Sequence, residues 1–80
     1  MGEIMLKRLG FKLESMYSNT QRRELFKRSY YNEEKRVRVQ IMNRTFRVSY
    51  INAYGVEKPY DIDLSLYKAI SECMHDWGWI

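Results

Sequence analysis

Eighty residues, 45% of them hydrophobic, 15% aromatic and 30% charged, suit one folded domain with one core and leave no room for a second. The aromatic share argues against disorder, the single cysteine excludes an intramolecular disulfide and fits a reducing compartment, and no apolar run approaches the roughly 20 residues of a membrane span. The start, MGEIMLKRLGF, has no signal-peptide core or cleavage site, and Leu6 stands where a myristoylation motif needs Ser or Thr, so the expected location is the cytoplasm with no membrane partner.

Residues 3 to 9, EIMLKRL, suit a short helix with Ile4, Met5 and Leu9 inward, closed by Gly10 in the left-handed cap position. At this length it is marginal alone. From Phe11 the pattern alternates, with Phe11, Leu13, Ser15 and Tyr17 against Lys12, Glu14 and Met16, as a strand does, and Ser18-Asn19-Thr20 supplies a turn. A second strand covers Arg23 to Tyr31. If Glu33-Glu34 is a two-residue turn, Tyr30 faces Val37 and Phe26 faces Ile41, which puts Arg28 on the core side near an edge, with its head snorkelling to water. A loop one residue longer or shorter turns Leu25, Lys27, Ser29 and Tyr31 inward instead. Two large rings bury more area than one ring and a leucine, which favours Phe26 and Tyr30 inward.

The stretch from Arg36 to Ile51, RVRVQIMNRTFRVSYI, sets the register of the rest. With Asn43-Arg44 as a two-residue turn, Met42 faces Thr45, Ile41 faces Phe46, Val39 faces Val48 and Val37 faces Tyr50. The six apolar partners Val37, Val39, Ile41, Phe46, Val48 and Tyr50 then share one side, and a one-residue slip would scatter them. Asn tolerates the positive φ of a type I′ turn, although Arg44 sits where Gly is preferred. The opposite side reads Arg36, Arg38, Gln40 and Met42 on one strand and Thr45, Arg47, Ser49 and Ile51 on the other, a wet and basic face of the kind an antiparallel sheet leaves to solvent.

After Ile51, Asn52-Ala53-Tyr54-Gly55 reads as a loop, and Pro59 confines any following strand to an edge or a start. Ile62 ends a short strand. Asp63 is placed to cap a helix from Leu64 to Trp77, on which Leu66, Ile70, Cys73 and Trp77 form one stripe and Lys68, Ser71, Glu72 and His75 the other side. Gly78 suits the C′ position of a Schellman motif that returns Trp79 to Met74. Two amphipathic surfaces of matching length predict an α+β fold: an antiparallel sheet of three or four strands, a C-terminal helix packed on one face and a short N-terminal helix.

Charge is unevenly spread. Residues 20 to 47 hold nine Lys/Arg against three Glu, a balance of +6, whereas residues 48 to 80 hold two Lys against five Asp/Glu, a balance of −3. Arg36, Arg38 and Arg47, with Lys27 and Tyr31, are the candidate contact residues. A face of this kind can meet phosphates and stack a base, dock an acidic protein surface, or merely keep an exposed sheet soluble.

Little else carries chemistry. Cys73 and His75, two residues apart on a helix, point away from each other and form no nucleophile–base pair; Cys73 reads as a small core residue and His75 as a solvated one. The three or four soft or imidazole ligands of a zinc site are absent from the sequence. Asp61 and Asp63 read as turn and cap, ahead of a paired-carboxylate site. The glycines Gly2, Gly10, Gly55 and Gly78 are isolated and make no phosphate or dinucleotide fingerprint, so no cofactor is expected. The Asn43-Arg44-Thr45 sequon is only a turn in a chain without a signal peptide.

Leu9-Gly10-Phe11 near the start, Ile62-Asp63-Leu64 at the helix entrance, Lys68-Ala69-Ile70 within it and Trp77-Gly78-Trp79-Ile80 at the end give the chain a pattern that resembles a class of small uncharacterised proteins encoded by phages and prophages of Gram-positive bacteria. The resemblance spans the chain through structural residues. It implies an α/β sandwich, a mobile-element origin and action by binding a host or defence protein, and it carries over no catalytic or binding residue. The expected function is therefore stoichiometric, non-catalytic binding of such a protein as an inhibitor or modulator. The alternative is sequence-tolerant nucleic-acid binding through the basic face, and self-association through the open face is a further option.

Overall fold

Alternation between faces is cleanest in the run VRVQIM, and the observed architecture is built outward from it. The structure, a computed structural model, describes residues 1–18, 26–42 and 44–80, with backbone only at positions 17, 18 and 26. In chain order it contains α1 (Gly2–Arg8), β1 (Lys12–Ser18), β2 (Phe26–Asn32), β3 (Val37–Met42), β4 (Thr45–Ile51), β5 (Glu57–Pro59) and α2 (Leu64–Asp76). The sheet has five strands rather than three or four, in the order β1-β2-β3-β4-β5 with each neighbouring pair antiparallel, and the fold is α+β as expected. The expected Ser18-Asn19-Thr20 turn, the strand start at residues 23–25, the side chains of Tyr17 and Phe26, and Asn43 lie outside the described residues.

The β3–β4 register is the expected one: Val37 opposes Tyr50, Val39 opposes Val48, Ile41 opposes Phe46 and Met42 opposes Thr45. Between β2 and β3 the connection is longer than expected. Glu33–Arg36 forms a four-residue turn, so Asn32 opposes Val37 and Tyr30 opposes Val39. The cause is Asn32, whose side-chain oxygen accepts the Lys35 N–H at 3.0 Å while its amide donates to the Leu9 carbonyl at 3.1 Å. A shift of two residues preserves the parity, and Tyr30 is buried on the helix side with Arg28 beside it, as expected. In β1 the register slips between Leu13 and Ser15, a bulge at Glu14. It reverses the expected alternation: Ser15 opposes Ser29 and Met16 opposes Arg28, so Met16 joins Leu13's side and Ser15 leaves it.

Both helices end in the same hydrogen-bond pattern. After α1 the Gly10 N–H reaches the Lys7 carbonyl and the Phe11 N–H that of Leu6; after α2 the Gly78 N–H reaches His75 and the Trp79 N–H reaches Met74. These are Schellman motifs, with Gly10 at φ 95° and Gly78 at φ 77°. At the other end of α2, Asp63 accepts the Leu66 N–H at 2.8 Å. On α1, Met5 and Leu9 pack against the core as expected, but Ile4 is exposed and Leu6 and Gly2 are the buried residues, because α1 lies against α2 as well as the sheet. A Cβ on Gly2 would stand 2.2 Å from the Cys73 backbone nitrogen, so the two helices approach to a distance that only glycine allows.

The core joins Leu6 and Phe11 to Tyr30 of β2, Val37, Val39 and Ile41 of β3, Val48 of β4, and Leu66, Ala69, Ile70, Cys73 and Met74 of α2. Phe46 and Tyr50, expected beneath the helix, keep 38% and 37% of their surface exposed. With α1 filling the space beside α2, the helical layer reaches only the middle of β4, and the ends of that strand go uncovered.

Ile70→Asp places an unpaired charge at a position that is 1% exposed; its far-ultraviolet circular dichroism should show no cooperative melt. Gly10→Ala meets both the positive φ and the Asn32 amide 2.9 Å from the new Cβ. It should lower stability by at least about 1 kcal/mol, read from the urea midpoint at unchanged m-value.

Candidate interaction face

Because Val37, Val39 and Ile41 turn toward the helices, Arg38 and Gln40 must project from the other face of the central strand. The same parity brings Lys27, Ser29 and Tyr31 of β2 and Thr45, Arg47, Ser49 and Ile51 of β4 to that side. Of the candidate contact residues, Lys27, Tyr31, Arg38 and Arg47 therefore do share the open face. Arg36 does not continue the strand as expected. It ends the β2–β3 turn at φ 58°, and although its carbonyl accepts the Ile51 N–H at 2.8 Å, its left-handed backbone breaks the alternation that would align it with Arg38.

Arg38 is the organising residue of the face. Its Nε and Nη2 donate to the two carboxylate oxygens of Glu14, each at 2.8 Å, and its Nη1 donates to Glu57 Oε1 at 2.9 Å. The guanidinium carbon also lies 5.4 Å from the centre of the Tyr31 ring, a cation–π distance. Glu14 belongs to β1 and Glu57 to β5, so one side chain on the middle strand is tied to both edges of the sheet. Strands spaced about 4.8 Å apart put each edge about 10 Å away, a span that only a long side chain meeting long carboxylates can bridge. The paired contact with Glu14 has the two-toothed geometry that suits arginine and not lysine. These bonds, Glu14 first, raise the Arg38 pKa further above its ordinary value.

Small residues make room for this arrangement. Ser49, directly opposite Arg38, and Ser29 are both buried on the nominally open face. Neither carboxylate was legible as a partner of Arg38. Glu14 occupies a bulge, and Glu57 sits on a three-residue strand whose pairing with Ser49, Tyr50 and Ile51 is a tertiary event.

No family model, curated protein or solved structure matches the chain. The face therefore stands on its own geometry.

On the helix side, Arg28 meets the Met16 sulfur and lies 5.5 Å from the centre of the Trp77 ring, which packs edge-on against Trp79. Cys73 is buried, and burial pushes its thiol up to about 11, while His75 on the same helix is exposed. Among the described residues the side-chain donors of Glu72, His75 and Asp76 lie within 4.8 Å of one another, a grouping that a scan for soft ligands alone misses. Asp76 already accepts the Met1 ammonium at 2.7 Å and the Gly2 N–H at 2.8 Å, and these two contacts hold its carboxyl below the usual carboxylate range. No helix among the described residues is long and apolar enough to cross a membrane.

The Arg38 and Glu14 side chains are 24% and 36% exposed, so solvent screening keeps their coupling small. A double-mutant cycle over Arg38→Gln and Glu14→Gln should give about 0.5–1 kcal/mol, shrinking in high salt, and Arg38→Lys should recover less than half of it. In the native state Cys73 should resist iodoacetamide at neutral pH and react fully in urea, as followed by mass spectrometry.

Proposed function

We propose that this protein is a non-catalytic, stoichiometric binder of another protein, a phage-type inhibitor or modulator of a host or defence factor, and that it binds through its open sheet face. The observation that carries the reading is the Glu14–Arg38–Glu57 arrangement over Tyr31. It holds the long side chains at the centre of the face in one conformation, so less entropy is lost when a partner docks. Arg and Tyr are also the residue types that anchor protein interfaces. The non-catalytic part is supported by the sequence, which offers no nucleophile with its base; the host-directed part is supported by the resemblance to small phage and prophage proteins.

Nucleic-acid binding fits the same face less well. A phosphate chain crossing the sheet would meet the carboxylates of Glu14 and Glu57, and the Tyr31 ring, which would have to stack a base, is already covered by the Arg38 guanidinium.

Photo-crosslinking tests the reading. A benzoylphenylalanine probe at Thr45 on the open face should capture a discrete protein from a nuclease-treated lysate of a Gram-positive host, and the same probe at Tyr67 on the exposed side of α2 should not. Capture from position 67 alone would move the interface to the helices, and recovery of nuclease-sensitive material only would favour nucleic acid.

A further inference from the structure

Cations on and beside the open face differ in their partners. Arg38 is saturated by two carboxylates, whereas Lys12, Lys27 and Arg47, and Arg44 in the β3–β4 turn at φ 66°, make no ion pair among the described residues. Lys12 opposes Tyr31 in the Arg38 row; the other three gather toward the hairpin end. Lys27 opposes Met42, which opposes Thr45; Arg47 opposes Gln40; and Arg44 sits in the turn that joins β3 to β4. The acidic residues of the sheet and of its described turns, Glu14, Glu33, Glu34 and Glu57, are in other rows or at the opposite end. Beside Arg47 lies a concavity of about 300 Å³ lined by Gln40, Met42, Thr45, Phe46 and Arg47, and Met42 is 44% exposed.

Resting on the proposed function, we infer that the segment of the partner protein that docks here is acidic and carries an apolar side chain, with its carboxylates between Lys27, Arg44 and Arg47 and the apolar group in the concavity beside Met42. Charge complementarity selects the acid: three cations that make no ion pair among the described residues repel one another until an anion is placed among them. The exposed Met42 side chain selects a peptide over a phosphate chain, since a thioether has nothing to offer a phosphate. The patch is also short, ending where Glu14 and Glu57 flank Arg38, which suits a few peptide residues and not an extended backbone track.

Fluorescence anisotropy with defined probes tests this on the full chain: a short peptide alternating Glu with Leu and Phe, the same peptide with Gln for Glu, and a short oligothymidylate. The acidic peptide should bind, more weakly as salt rises, and the Gln peptide should bind at least about tenfold more weakly. Lys27→Glu/Arg47→Glu and Arg44→Glu should each weaken the acidic peptide by about tenfold or more, and Lys12→Glu, on the same face beside Tyr31 but outside the cluster, should not. Met42→Ser should weaken binding several-fold without changing its salt dependence. Equal binding of the Glu and Gln peptides, an equal loss in Lys12→Glu, no binding of the acidic peptide, or tighter binding of the oligothymidylate would each overturn the inference. Crosslinking from position 45 to a host protein, when this chain shows no affinity for the acidic peptide, would reject this inference and leave the proposed function standing; peptide binding without a crosslinked host protein would count against the proposed function and leave the acidic-peptide site standing.

Discussion

The central strand β3 can present each side chain to one face only, and its two faces carry interactions of very different strength. Val37, Val39 and Ile41 are almost completely removed from water, each contributing about 1.5–3 kcal/mol. Arg38 between them forms ion pairs of a partly exposed kind, worth up to about 1 kcal/mol apiece. The buried side therefore sets the register and the ion pairs follow it. Arg38 has its place because its neighbours are apolar, and Glu14 and Glu57 come to Arg38 from the two edges.

The helical layer extends the same constraint. Tyr30, driven inward by the register, donates its hydroxyl to Glu3 of α1 at 2.8 Å, and Asn32 donates to the carbonyl that ends that helix. Burial and the Glu3 hydrogen bond both raise the Tyr30 pKa, so it stays a neutral donor. With α1 fixed over β2, the glycine contact at Cys73 brings α2 alongside, and the pair is too narrow for five strands. The half-exposed Phe46 and Tyr50 follow from where α1 sits rather than from any feature of β4.

Local signals in the sequence were read well and long-range ones poorly, for a physical reason. The β3–β4 hairpin, the Asp63 cap, the Gly10 and Gly78 terminators and the edge position forced by Pro59 depend on residues within a few positions of one another. The four-residue turn after Asn32 depends on a side chain that also reaches α1, and the bulge at Glu14 has no composition that marks it. Strand β5 is only three residues long and exists through its pairing with β4. Arg38 was legible as a face residue and illegible as a paired one, because its partners lie 24 positions before it and 19 after it. Counting charge along the chain treats every cation alike, and so does not separate Arg38, which has two carboxylate partners, from Lys27 and Arg47.

The ion pairs change the electric character of the face. Glu14, Arg38 and Glu57 together carry a formal −1, which Lys12 beside Tyr31 brings to zero, and Lys27, Arg44 and Arg47 carry +3. The Arg38 row and the Lys27 row are four residues apart along β3, about 13 Å. That exceeds the Debye length at physiological salt, about 8 Å, so the two rows are largely screened from each other and each acts locally on a molecule arriving at the surface. A uniformly basic face would attract an acid without orienting it. A face positive at the hairpin tip and balanced around Arg38 would align the acidic segment proposed above with its carboxylates toward the tip, and the ion pairs of Arg38 would thereby give that segment a direction in which to lie.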